Sequence, residues 1–216
     1  TRLTYAELVA EARRFGAALV ASGLEPGDRV SIWAPNSAEW IVAALGLWQA
    51  AAVLVPVNTR FKGGESADIL SRSHARALVT TTDFLGTDYV AMARTAGVDL
   101  PDLQTIVVAR GEAPDGTESW AGFLARATDE AEAEAERRQA AVSPDDPSDI
   151  LFTSGTTGVP KGVVSTHSRT LGVATDWVGM VGLEAGDRYL MVNPYFHMFG
   201  LKAGILTSLA AGVTML

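Results

Sequence analysis

Thr153-Ser154-Gly155-Thr156-Thr157-Gly158 is an unbroken run of Gly, Ser and Thr, and Val159-Pro160-Lys161-Gly162 follows it. A seat for phosphate needs exposed backbone N–H groups, side chains small enough for oxygens to approach, hydroxyl donors and a nearby cation. This segment offers all four. Lys161 is one of only three lysines, with Lys62 and Lys202, in a chain that otherwise uses Arg. The same composition also suits a plain Gly-rich turn between two strands, so residue types alone leave both readings open. A Walker A loop is excluded, because Gly162 stands where the magnesium-binding Ser or Thr must follow the lysine.

Tyr195-Phe196-His197-Met198-Phe199-Gly200 is the second constellation. An aromatic run around one histidine reads either as a packed corner with a satisfied imidazole or as one edge of a ligand pocket. The other histidines promise less. His74 belongs to a polar helix end and is expected in solvent, whereas His167 follows Val163-Val164-Ser165-Thr166 at a helix start, where capping outranks ligation. Three histidines so far apart, with no cysteine, make no metal-ligand set and leave no disulfide or cysteine nucleophile. Trp33, Trp40, Trp48, Trp120 and Trp177 are expected in packing rather than around a cofactor.

The elements that must position these residues alternate. Thr4-Tyr5-Ala6-Glu7 is a capping box, with Leu8, Ala12, Phe15 and Leu19 at helical spacing before Gly23 offers a stop. After the turn Glu25-Pro26-Gly27-Asp28 come a strand at Val30-Ser31-Ile32 and a helix that Ser37 caps and that runs to about Ala51. A helix from about Glu65, a strand Ala77 to Thr80, a helix Tyr89 to Ala96 and a strand Thr105 to Ala109 continue the pattern. Such alternation predicts a mostly parallel α/β sheet. The acidic stretch Thr128 to Arg138 reads as a solvated helix before the linker Ser143-Pro144-Asp145-Asp146-Pro147, and Ile150-Leu151-Phe152 as the short strand feeding the Gly/Thr segment.

One heptapeptide recurs. Gly23-Leu24-Glu25-Pro26-Gly27-Asp28-Arg29 returns 159 residues later as Gly182-Leu183-Glu184-Ala185-Gly186-Asp187-Arg188, and Pro35/Pro194, Ala44/Ala203, Ala51/Ala210 and Ala52/Ala211 keep that register without a gap. Two related strand-loop-helix-strand units are therefore expected, in two similar α/β subdomains, 1–142 and 143–216. The counterpart of the aromatic His197 loop in the first copy is Asn36-Ser37-Ala38-Glu39-Trp40-Ile41, so the specialised loop belongs to the second. That copy reaches Leu216 inside its closing strand, which reads as a domain truncated at its C-terminus. Thr1-Arg2-Leu3-Thr4 reads as a processed start without a secretory segment.

The chain has 216 residues, 48% hydrophobic and 19% charged, with a net charge of −8. It is too apolar to be disordered, and its field is unsuited to a nucleic acid backbone. The apolar stretch Ile41 to Val57, broken only by Gln49, stops short of the ~18 residues of a membrane span. With no cysteine, a cytoplasmic protein is the expectation.

The string Ile150 to Gly162 resembles the phosphate-binding signature of the adenylate-forming superfamily of acyl-CoA synthetases, peptide-synthetase adenylation domains and luciferases. Leu3 to Leu8 resembles the family's opening helix, Ala50 to Asn58 its second motif and Asn193 to Gly200 its fourth, so the likeness covers nearly the whole chain. It is most similar to bacterial, actinobacterial-like fatty-acid–CoA ligases, and Asn58-Thr59-Arg60 and Asn193 to Leu206 resemble the branch acting on steroid-derived propanoate side chains.

The resemblance implies the N-terminal part of the family's large domain and a cytoplasmic ligase of lipid metabolism. Its substrates would be ATP, a carboxylic acid and coenzyme A, with Mg²⁺. On that reading Ser154, Gly155, Thr156, Thr157 and Gly158 hold phosphates, Lys161 adds charge, and Thr153 shares Mg²⁺ with an acidic residue outside this chain. Tyr195, Phe196, His197, Phe199 and Gly200 border the acyl pocket. His197 positions or gates rather than acting as a base, since an ionised carboxylate needs no deprotonation. The family's later motifs, with the ribose-holding Asp and the adenylation lysine, are not in this sequence, so the 216 residues alone are expected to be inactive. A domain that loads a carrier protein and a non-catalytic nucleotide-binding module are the alternatives.

Overall fold

Thr4 starts the first helix with both halves of a capping box: its hydroxyl accepts from the Glu7 amide at 3.2 Å, and the Glu7 carboxylate accepts from the Thr4 amide at 2.7 Å. In the computed structural model, which describes residues 2–153 and 160–216, this helix, α1, spans Tyr5–Ala21. The chain divides into two units, Thr1–Val142 and Ser143–Leu216.

The first unit alternates as its sequence predicts. β1 (Arg29–Trp33), α2 (Ala38–Gln49), β2 (Val53–Pro56), α3 (Gly63–Arg72), β3 (Ala75–Thr81), α4 (Tyr89–Arg94), β4 (Thr105–Arg110), β5 (Glu118–Ser119), α5 (Trp120–Leu124) and α6 (Asp129–Ala141) follow α1. The strands are parallel in the order β5-β4-β3-β1-β2. β1 and β2 are buried almost throughout, as strands covered on both faces are. Gly16 and Gly46 let α1 and α2 meet backbone to backbone, since a Cβ on Gly16 would stand 2.7 Å from the Gly46 carbonyl oxygen. Ser37 caps α2 through its hydroxyl, as its position predicts. The acidic α6 is a solvated helix that buries only Ala131 and Ala135.

A doubly wound sheet accepts ligands at the carboxyl ends of its strands where the winding reverses, here between β1 and β3. The chain's own aromatic side chains fill that position. Trp33, wholly buried, stacks on Tyr89 with ring centroids 4.5 Å apart, and Thr80 Oγ1 donates to the Trp33 carbonyl. Trp33 Nε1 and Tyr89 Oη donate to the carbonyls of Asn58 and Thr59, fastening the Asn58-Thr59-Arg60 segment by its backbone.

The second unit comprises β6 (Pro147–Thr153), β7 (Lys161–Thr166), α7 (His167–Val181), β8 (Arg188–Tyr189), a π-helix (Phe199–Leu206), α8 (Thr207–Ala211) and β9 (Thr214–Met215). β6 and β7 form an antiparallel hairpin, and β8 and β9 pair in parallel.

The repeated heptapeptide folds the same way twice. Asp28 Oδ2 accepts from the Glu25 amide and Asp187 Oδ2 from the Glu184 amide, both at 2.9 Å, with Gly27 and Gly186 at φ +83° and +97°. The gapless register does not survive to the closing strand. Arg29 pairs with Val53 and Arg188 with Thr214, so the offset grows from 159 residues at the first strand to 161 at the second. The left-handed residue before that strand is Ala51 (φ +59°) in one copy and Gly212 (φ +70°) in the other. Ala51 and Ala52 are therefore equivalent to Gly212 and Val213, not to Ala210 and Ala211. The two additional residues lie between Tyr189 and Gly212, the segment that contains the π-helix.

Candidate functional site

β6 runs inward at Ser148 and Asp149, both fully buried, and emerges at Thr153, which is exposed. β7 returns from Lys161, also exposed. In the hairpin register Thr153 is the direct partner of Lys161, and Phe152 of Gly162. A Cβ on Gly162 would lie 3.0 Å from Ile150 Cγ2 and 3.3 Å from Phe152 Cζ, so glycine keeps these side chains close against β7. Direct partners carry their side chains on one face of a sheet, so one hydroxyl and one ammonium stand together at the loop end of the hairpin. Ser154, Gly155, Thr156, Thr157 and Gly158 lie outside the described residues.

The aromatic loop is held by its own backbone. The His197 amide donates to the Pro194 carbonyl at 3.1 Å, and the Leu201 amide donates to the His197 carbonyl at 2.9 Å. The Phe199 amide donates to His197 Nδ1 at 3.2 Å, which makes Nδ1 an acceptor and places the ring proton on Nε2. His197 itself is exposed. Phe199 packs edge-on against Trp177, centroids 5.1 Å apart, while Tyr195 is buried, which pushes its phenol pKa upward. Phe196 is half-buried. Gly200 is buried where a Cβ would meet the Pro194 carbonyl oxygen, so its absent side chain is a packing requirement.

Between these two segments lies a polar cluster that residue patterning does not reveal. Lys202, in the π-helix, and Asp149, on β6, have side chains 5% and 0% exposed. Lys202 Nζ donates to Ser165 Oγ at 2.9 Å and to Thr170 Oγ1 at 3.0 Å. It stands 3.1 Å from Asp149 Oδ1, within ion-pair reach although off the line of a hydrogen bond. Asp149 Oδ2 accepts from Ser148 Oγ and Thr170 Oγ1, each at 2.7 Å. The only signal in the sequence is a lone lysine inside the apolar stretch Phe199 to Leu206.

The remaining histidines follow their sequence reading. His74 is exposed, its Nδ1 2.8 Å from Asp102 Oδ2, and His167 begins α7 beside the capping Thr166. The described residues hold no group of three His, Cys, Asp or Glu side chains fit for a metal ion, and no helix among them is long and apolar enough to cross a membrane.

The AMP-binding enzyme family matches residues 1–216. The chain is 46% identical to a propanoyl:CoA ligase of Rhodococcus jostii whose acyl group carries a 7a-methyl-1,5-dioxo-octahydro-1H-inden-4-yl ring, over 99% of this chain and 42% of that protein. It is 32% identical to a long-chain-fatty-acid–CoA ligase of Mycobacterium tuberculosis, over 100% of this chain and 39% of that one. The crystal structure of an anthranilate CoA ligase in complex with anthranoyl-AMP superposes with a TM-score of 0.87 at 28% identity, covering 100% of this chain and 40% of that one. The chain thus spans about two-fifths of the length of these relatives.

Proposed function

The chain belongs to the AMP-binding enzyme family, and from that premise we propose that the whole protein is an ATP-dependent acid–thiol ligase that makes an acyl-CoA through an acyl adenylate. The hairpin register carries the reading. Thr153 opposite Lys161 brings a hydroxyl and an ammonium to the two ends of a Gly/Ser/Thr segment, the chemistry that nucleotide phosphates require.

A carboxylate is a poor electrophile, so the acid must first gain a leaving group. One carboxylate oxygen bonds to the α-phosphorus of ATP while the bond from that phosphorus to the bridging oxygen breaks, giving acyl-AMP and pyrophosphate. The sulfur of coenzyme A then bonds to the acyl carbon as its bond to the AMP oxygen breaks, and the thiol proton leaves to solvent. Both steps gather negative charge. Lys161, with the backbone of Ser154 to Gly158, disperses it on the departing phosphates. Thr153 offers Mg²⁺ one hard oxygen donor, the kind of ligand that ion takes alongside water and phosphate, and the bound ion would neutralise phosphate charge. His197 donates from Nε2 at the edge of the acyl pocket and positions the acid, with Tyr195, Phe196 and Phe199 supplying apolar surface and Gly200 the room for the loop.

The substrate class is an acid with a large apolar body. The 46% identity to the Rhodococcus ligase supports a propanoate side chain on a fused ring over a simple fatty acid. The test is pyrophosphate release by the full-length protein with ATP, Mg²⁺ and a panel of fatty, aryl and ring-bearing propanoic acids, followed by addition of coenzyme A or a phosphopantetheinyl carrier protein. Acid-dependent release and a thioester with coenzyme A are expected. Transfer only to the carrier refutes the acceptor, and release independent of every acid refutes the reaction.

A further inference from the structure

In the first copy of the repeat, α2 is a regular helix whose buried face carries no charge, from Trp40 to Leu47. In the second copy the corresponding stretch is π-wound and buries an ammonium. Both departures cost free energy. Hydrogen-bonded winding of i→i+5 is rare outside functional sites, and a buried ion pair seldom outcompetes apolar packing of the same volume. They occur together, at one residue.

Lys202 is three residues beyond Phe199, whose amide caps the His197 imidazole. Asp149 is four residues before Thr153 on the strand that ends at the Gly/Ser/Thr segment. The ammonium donates to Ser165 of β7 and Thr170 of α7 and stands within ion-pair distance of the Asp149 carboxylate. The network is directional where apolar packing would not be. A Leu or Met at 202 could shift along the strand by a fraction of a turn at little cost, whereas the ammonium has one position that meets both hydroxyls and the carboxylate.

We propose that Lys202 is a positioning residue of the adenylating site: through Asp149 it locks the π-helix, and with it the His197 loop, in register on the strand that delivers Thr153. The inference rests on the ligase reading, in which the acid lies beside the His197 loop and the phosphates beside Thr153. Acid oxygen and α-phosphorus must meet within reacting distance, and this pair fixes the protein segments on which the two are carried.

The test uses the full-length protein. Lys202→Met alone strands a buried carboxylate and is expected to lower Tm. The double variant Lys202→Met with Asp149→Leu removes both charges and is expected to recover the wild-type Tm. At that recovered stability, kcat for acid-dependent pyrophosphate release is expected to stay about tenfold or more below wild type, because small displacements of reacting groups are costly. KM for ATP is expected to be unchanged. Amide hydrogen exchange of residues 197–206 is expected to be faster than in wild type. A double variant with wild-type kcat, or with wild-type exchange in 197–206, overturns the proposal and leaves the pair a packing element. Absence of acid-dependent pyrophosphate release from the wild-type protein refutes the ligase reading instead, and the exchange comparison still decides whether the pair holds the loop.

Discussion

Thr153 and Lys161 are direct cross-strand partners at the loop end of the β6–β7 hairpin, so the first hydroxyl of the Gly/Ser/Thr segment and the cation beyond it share one face. Both side chains are exposed. Lys161→Ala is therefore expected to leave the free energy of unfolding within about 0.5 kcal/mol of wild type, as for surface substitutions generally. Loss of a charged hydrogen bond to phosphate is expected to weaken ATP binding by the full-length protein by about 1.5–3 kcal/mol, or roughly tenfold or more. Titration calorimetry with ATP checks this, and an unchanged Kd would reduce the segment to a turn.

His197 accepts from the Phe199 amide through Nδ1, so its ring is part of the loop's scaffold before it meets any acid. His197→Ala is expected to raise KM for the acid while KM for ATP holds. His197→Asn, which keeps a short-range acceptor, is expected to recover part of the loss. A general base would contribute about 10²–10⁴-fold to kcat; a drop of that size in His197→Ala, with loss of the acidic limb of the pH profile, would contradict a positioning role.

The glycines of the second unit differ in what a methyl group would meet. At Gly200 the Cβ would overlap the Pro194 backbone, at Gly204 the movable end of Met191, and at Gly172 in α7 it meets nothing within 4 Å. Gly200→Ala is expected to destabilise by about 1–3 kcal/mol or more and Gly204→Ala by less. Gly172→Ala is expected to be neutral or to stabilise by up to ~1 kcal/mol through helix propensity. Urea unfolding of the three variants gives the order, and equal losses would show that the loop packs differently.

His167 begins α7, and burial pushes its imidazole pKa down, with the charges of Asp146 and Asp149 opposing part of that shift. The folded protein holds it neutral at a pH where the unfolded chain has already taken up the proton. Proton binding then favours the unfolded state, so stability is full above the ordinary histidine range and declines as pH falls through it toward the lowered folded value. A shallower fall in Tm on acidification is expected for His167→Gln, and an unchanged slope would place the titration elsewhere.

Much of the fold is written in neighbouring residues. The Thr4–Glu7 box, the Ser37 cap and the alternating apolar segments of the first unit specify α1, α2 and the parallel strands because each interaction closes within a few positions. The heptapeptide turn folds identically at Asp28 and Asp187 for the same reason. The Gly/Ser/Thr segment, its lysine and the aromatic loop were legible by residue type, although the structural roles of Phe199 as donor to His197 and of Gly200 as a close-approach residue depend on how the loop folds back.

Other features required distant segments to meet. The sequence match runs on without a gap, yet the pairing of Arg188 with Thr214 shows two extra residues in the second copy, because strand register answers to hydrogen bonding across the sheet and not to identity along the chain. Asp149 and Lys202 are separated by most of the second unit, and although Lys202 stands alone in an apolar stretch, nothing local names its partner. Only burial, which removes water and leaves each with the other and with Ser148, Ser165 and Thr170, turns them into a pair.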